Sequence, residues 1–213
     1  MQTPKQWYCE TVGQKVVEAL RKNNFNADYA ATKEEARQKV LSLVGDSRSI
    51  GIGGSVTIKE LGVIEQLAKE GKEILDHTLP NLKPEESLAI RHKQLTCDCF
   101  LCSTNAVTLD GQLVNVDGTG NRVGAMGFGP GKVIVVAGIN KAVKDLQAAL
   151  ERIETRAAPL NNKRLNRPNP CTQSGVCLDC ASSTRICNIT TIIRRKPPLT
   201  NINVIVVGEE LGY

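Results

Sequence analysis

The run Lys-Val-Ile-Val-Val-Ala at positions 132–137 constrains this chain more than any other segment. It has no polar face, so a strand built from it must be covered on both sides, as in the centre of a parallel sheet. Parallel neighbours need crossover connections, and these are usually helices. An α/β architecture with a mostly parallel sheet sandwiched between helices is the expected fold class.

The rest of the chain supplies the other elements. Val12, Val16, Val17 and Leu20 recur at helical spacing and predict an amphipathic helix over 6–24. A strand over 26–31 follows, then Thr32-Lys-Glu-Glu35, a capping box that opens a helix to Val44. Residues 48–51 read as a strand, Thr57-Ile-Lys-Glu60 as the cap of a helix through Lys69, and 73–77 as another strand. Pro84 marks a helix start running to about Leu95, and 98–103 reads as a buried strand. Asp110-Gly111 between two alternating runs signals a tight hairpin, and a helix is expected over 142–157. Beyond Ala158 the composition shifts to Pro, Asn and Cys. Residues 1–158 are therefore expected to form the α/β unit, and 159–213 a cysteine-rich segment whose strands, 189–193 and 203–207, pack back onto it.

Charge narrows the partners. The 27 Lys and Arg are interleaved with 22 Asp and Glu, and aromatics are only 3%, so there is neither the basic stripe nor the stacking surface of a nucleic-acid binder. No apolar run approaches the ~20 residues that cross a bilayer, and the N-terminus lacks a signal-peptide pattern. A soluble, cytoplasmic protein is expected, with no membrane partner; the sequence leaves its oligomeric state open.

Two glycine-rich turns follow strands. Gly51-Ile-Gly-Gly-Ser-Val-Thr57 joins a strand to a helix, where glycines let a ligand approach the backbone and free amides attract an anion. Its candidate ligand residues are Gly53, Gly54, Ser55 and Thr57, with Glu60 either a base or a capping partner. The turn is neither a P-loop nor Gly-x-Gly-x-x-Gly, which excludes the usual ATP and dinucleotide sites. In the second turn, Asp117-Gly-Thr-Gly-Asn-Arg122, Arg122 is expected to grip a carboxylate or phosphate in a bidentate fashion. Asp117, Thr119 and Asn121 stand beside it. Lys141 is a further candidate for meeting an anion, although a lysine just before a helix is commonly solvated. His77 and His92 have no motif partners. If both turns face one crevice beyond the strand ends, that crevice takes a small anionic metabolite.

Cys171, Cys177, Cys180 and Cys187 form a C-x5-C-x2-C-x6-C series, a tetrahedral sulfur set of the kind that binds zinc or an iron-sulfur cluster (4Fe-4S). Disulfides and free thiols are the alternatives. Cys97, Cys99 and Cys102 read as small buried residues, the first two on one strand face.

Gly53-Gly-Ser-x-Thr-x-x-Glu-x-Gly62, Thr104-Asn-Ala106, Asp110-Gly-x-Leu-Val-Asn115, Asp117-Gly-x-Gly-Asn-Arg122, Phe128-Gly-Pro130, Val133-Ile-Val-Val-Ala-Gly-x-Asn-Lys141 and Cys177-x-Asp-Cys180 together resemble the LUD-domain family of lactate-utilisation proteins over nearly the whole chain. The resemblance implies the three-layer α/β/α fold of ribose-phosphate isomerases and CoA-transferases, with the Gly53 to Thr57 loop at that superfamily's anion site, and it adds Asn105 to the candidate ligand residues. It also implies a link to oxidation of lactate or other 2-hydroxy acids, in some members alongside iron-sulfur redox subunits. Three functions follow from these features. They are an accessory or electron-transfer protein with a cysteine-bound cluster, an isomerase- or acyl-transfer-type enzyme on an anionic metabolite, and a zinc-stapled ligand-sensing module.

Overall fold

The computed structural model describes residues 2–213. Its main sheet has strands β1 (Asn26–Ala30), β2 (Ser49–Ile52), β3 (Glu73–Asp76), β4 (Cys99–Cys102), β7 (Lys132–Gly138) and β10 (Ile202–Val207), in the order β1-β10-β7-β4-β2-β3. Every pairing in it is parallel. The expected neighbours β7, β4 and β2 do lie side by side, so the α/β class with a central parallel sheet holds.

Alternation along β7 explains the unbroken apolar run. Val133, Val135 and Ala137 face a core shared with Val16, Val17 and Leu20 of helix α1 (Pro4–Lys22). Ile134 and Val136 face the opposite core, with Val40 of α2 (Lys33–Val44), Ile58 of α3 (Val56–Glu60) and Leu67 of α4 (Val63–Lys69). Each face is covered, as a parallel strand requires. Among the described residues no helix is long and apolar enough to cross a membrane.

Beside the main sheet lies a smaller one, with the order β8-β5-β6-β9, from Ala142–Val143, Ala106–Thr108, Leu113–Asp117 and Ile189–Ile193. The hairpin expected at Asp110-Gly111 joins β5 to β6 in antiparallel register, Ala106 opposite Val114. The loop spans four residues, 109–112, one wider at each end than an Asp-Gly two-residue turn. Helices α5 (Pro84–Gln94) and α6 (Asn121–Gly127) complete the layer beside α1.

Several boundaries differ from expectation. Ser55, not Thr57, caps α3 by accepting from the Ile58 amide, and Gly62 in the left-handed region separates α3 from α4. The helix expected from Ala142 starts instead at Leu146, capped by Asp145, because Ala142 and Val143 pair with β5. It then continues past Ala157, as α7 (Leu146–Arg152), a π-turn (Ile153–Ala157) and α8 (Ala158–Arg164). Pro159 is tolerated because it falls in the first turn after the π-turn. Residues 165–188 are mostly irregular around one short helix, α9 (Cys171–Ser174). Cys97 and Cys99 do not share a face. Cys97 packs with Phe100 and Cys102 on the α1 side, Cys99 with Leu101 on the other, because the chain enters the strand only at Cys99.

Gly111 is held at φ +83°, and a Cβ there would lie 2.5 Å from the Ala19 carbonyl carbon of α1. Gly71 has a similar φ of +80° with open space around it. Left-handed strain costs about 1 kcal/mol in either place, and the clash adds more only at the first. Urea denaturation should therefore show Gly111→Ala losing at least about 2 kcal/mol, with Gly71→Ala near 1.

Candidate functional site

Because the main-sheet strands are parallel, the loops after β2, β3, β4, β7 and β10 leave by the same edge. There they surround a cavity of about 470 Å3. Gly53, Gly54, Ser55 and Thr57 line it from one side, Asp117, Thr119, Asn121 and Arg122 from the other, with Asn105 and Lys141 between them. The two glycine-rich turns thus share one crevice. Glu60 does not line it: its Oε2 accepts from the Gly212 amide at 2.8 Å and anchors residues 211–213 beside the Gly53 to Thr57 turn.

Within that crevice Arg122 has a different task from the expected clamp. Its Nη1 donates to the Ser103 carbonyl at 3.0 Å and to Asn115 Oδ1, and its Nη2 to Asn105 Oδ1 at 3.0 Å and the Val116 carbonyl at 2.8 Å. Its Nε faces Asp117 Oδ2 at 3.5 Å. The guanidinium fork is spent within the protein. Asp117 is likewise engaged, its Oδ1 accepting from the Thr119 and Gly120 amides and its Oδ2 from that of Val123. The Thr119 hydroxyl donates to Asn121 Oδ1 at 2.6 Å, and the Asn105 side chain receives the Val116 amide at 2.9 Å. The second turn is therefore built by its own polar groups, and its positive charge reaches the cavity without free donors.

Lys141 also departs from expectation. It is only 3% exposed, and its Nζ donates at 2.8 Å to both Thr57 Oγ1 and Ser103 Oγ. Burial, then the Arg152 and Arg122 guanidinium groups, bring the amine down to about 7, against the opposing pull of Glu60. Its neighbours in sequence give no sign of this, since Thr57, in α3, and Ser103, just after β4, lie 84 and 38 residues away.

The sequence reading missed the remaining cations. Arg91, Arg164 and Arg167 line the cavity, and among the described residues neither they nor Lys141 pair with a carboxylate. Arg91 Nε is buried without a partner. The wall's charge comes from these side chains; α3, at five residues, contributes little dipole. His77, which has no motif signal, also lines the cavity, and burial followed by the Arg91 charge lowers its pKa.

Cys171, Cys177, Cys180 and Cys187 border one narrow cavity of about 10 Å3 with Asn169, Leu178 and Arg185. The Asp179 amide donates to Cys177 Sγ at 3.4 Å, and Arg185 donates to the carbonyls of Cys180 and Cys187. Burial and the neighbouring thiols push Cys187 up to about 11. The donor set suits a soft metal in kind, yet no three of these groups stand in ligating geometry, and the same holds for every His, Cys, Asp and Glu among the described residues. Cys99 and Cys102 are fully buried, and burial drives both thiols up to about 12, which makes them packing residues.

An amine held lower folded than unfolded binds fewer protons in the folded state between those two values, so stability rises with pH from about 7 to 10.5 and the penalty is full below that window. Lys141→Met should exceed wild type at pH 7 by on the order of 3–4 kcal/mol, and by about half as much at pH 9. Urea titrations at the two pH values would reveal this; equal stability at pH 7 would mean that the folded protein tolerates the charge.

A family model described as the LUD domain matches residues 13–207. Among solved structures, a DUF162 family protein from Deinococcus radiodurans superposes at a TM-score of 0.54 with 14% identity, covering 93% of this chain and 98% of that one. A ribose 5-phosphate isomerase from Plasmodium falciparum matches 53% of this chain and 52% of that one at 19% identity, but with a TM-score of 0.32, too low to carry an argument. A search of curated proteins returns no match. With this match spanning both glycine turns, the central strand and β10, the chain belongs to the LUD-domain family.

Proposed function

We propose that this protein binds a small carboxylate or phosphate metabolite in the cationic crevice and serves lactate or other 2-hydroxy-acid utilisation in an accessory or electron-transfer role. The observation that carries the reading is the set of guanidinium groups lining the cavity, Arg91, Arg164 and Arg167, with no carboxylate paired to them among the described residues. Asp117 also lines the cavity and bears on Arg91, but it is engaged with Arg122 and three backbone amides, so positive charge remains in excess and a bound anion relieves the repulsion.

On the same reading Cys171, Cys177, Cys180 and Cys187 hold an iron-sulfur cluster or zinc, and iron-sulfur or redox subunits are the partners in the first case. Support comes from the shared cavity and from the amide that already points at Cys177 Sγ. A cluster would supply one-electron transfer and zinc a clamp on residues 171–187. A second reading, an enzyme acting on the same anion, is favoured by Lys141 and His77, two titratable groups lining one cavity, whose surroundings favour their neutral forms.

Calorimetry with lactate, pyruvate, sugar phosphates and CoA esters tests the anion site. Loss of a charged contact costs about 2 kcal/mol or more, so Arg91→Ala should weaken the best ligand by more than tenfold; unchanged affinity would remove Arg91 from the site. Anaerobic purification with metal analysis should find iron with labile sulfide, or zinc, and Cys177→Ser with Cys180→Ser should abolish uptake. Wild-type metal content in that double variant would refute the ligand set.

A further inference from the structure

We propose that Lys141 is a nucleophile that forms a Schiff base with a 2-oxo acid held in the crevice. This rests on the anion-binding reading and adds the reactive atom and the substrate class.

The hydrogen bonds around Nζ fix where its lone pair points. Thr57 Oγ1 donates to the Leu211 carbonyl and Ser103 Oγ to the Thr104 carbonyl, both at 3.3 Å, so each hydroxyl meets Nζ as an acceptor. A neutral amine has two N–H groups, and the two hydroxyls take both at 2.8 Å. The lone pair then occupies the remaining tetrahedral position of a side chain that lines the cavity. Among the described residues Nζ makes no third hydrogen bond, so an ammonium's remaining N–H would have no protein acceptor of the kind the two hydroxyls provide. Arg122 and Arg152 bear on Nζ from α6 and α7, and Cys102 from β4 is a neutral thiol. Glu60 of α3, the carboxylate that acts on Nζ, is engaged with the Gly212 amide. With half of the amine free near pH 7, Lys141 presents about a thousandfold more nucleophile than an exposed lysine.

Another residue lining the cavity supplies a proton acceptor. The Gln94 side chain is fully buried, and its Nε2 donates to the Ile52 and Leu75 carbonyls at 2.8 and 2.7 Å. His77 Nδ1 lies 3.1 Å from Gln94 Nε2 and 3.2 Å from Oε1; because both amide protons are committed to the two carbonyls, Oε1 is the partner, accepting from an Nδ1–H. His77 is thereby held as the Nδ1–H tautomer, with Nε2 unprotonated beside Gly54.

An amine needs a carbonyl electrophile, and the cations need an anion on the same molecule; a carboxylate bonded directly to the carbonyl carbon meets both demands. Nζ attacks C2, the N–C2 bond forms, and the carbonyl π pair moves to oxygen. One proton passes from Nζ to that oxygen, with His77 Nε2 as the relay. The second nitrogen proton then leaves with the oxygen as water while the C=N bond closes. The sum is amine plus 2-oxo acid giving imine plus water, with no change of oxidation state.

The test is incubation with pyruvate and sodium borohydride, which reduces an imine to a stable secondary amine, followed by peptide mass mapping. The reduced adduct should fall on Lys141 at about tenfold or more the yield of any other lysine at neutral pH. Its yield should rise with a midpoint near pH 7, and lactate, which has no carbonyl, should suppress it by competition. Lys141→Met should remove the adduct. Labelling spread evenly over the exposed lysines, or an unlabelled Lys141, overturns the proposal. Calorimetry on the same sample separates the two levels: pyruvate binding without a Lys141 adduct overturns the nucleophile and leaves the anion site standing, while neither binding nor adduct for pyruvate overturns both.

Discussion

The guanidinium of Arg122 ties together the parts on which the crevice depends. It reaches the end of β4 at Ser103, the start of the hairpin at Asn105, and β6 at Asn115 to Asp117. These segments belong to two different sheets, and no backbone ladder joins them there. A single planar cation with donors in a fixed fork suits this task, since lysine has neither the number nor the geometry of N–H groups. The two glycine turns face each other because this fork fixes the small sheet against the large one.

Around that fixed frame the charge is deliberately unbalanced. Lys141 is buried among guanidinium groups and hydroxyls, an arrangement that favours its neutral form at the expense of stability. Residues 211–213 contribute as well: the Leu211 carbonyl orients the Thr57 hydroxyl, and Gly212, at φ +58°, lies where a Cβ would come within 3.3 Å of Nζ. A larger residue at 212 would press hardest on Thr57 Oγ1, 2.6 Å from such a Cβ, the hydroxyl that accepts from Nζ.

What the sequence made legible, and what it hid, divides along one physical line. The β7 run, the Gly-Gly-Ser turn and the Asp-Gly hairpin were readable because local chemistry alone dictates them: two-sided burial, left-handed backbone, a short connection. Arg122 was visible as a cation beside a turn, but four of its N–H groups are met by acceptors, and the fifth faces Asp117, on segments 103–117 that only the folded chain gathers. Lys141 carries no local mark of burial, since Asn140 and Ala142 would suit a solvated lysine equally well. His77 was set aside for want of a motif partner because Gln94, which pairs with it, sits 17 residues away on another element. Thr57 was mistaken for a cap because Ser55, two residues earlier, satisfies the same local rule. The cysteines are a middle case, for their spacing brings them to one cavity, while ligating geometry is a matter of fractions of an ångström that spacing does not encode.

One feature of the main sheet bears on how the protein is made. The strand β10, at residues 202–207, lies between β7 and β1, and β1 has no other strand partner. A chain synthesised from its N-terminus at about 5–20 residues per second exposes β1 and the open, apolar edge of β7 until residues 202–207 arrive. Such an edge invites pairing with other chains. During every round of translation, therefore, the nascent protein passes through a sticky, unfinished stage, and ribosome-associated chaperones have a defined strip of sheet to shield.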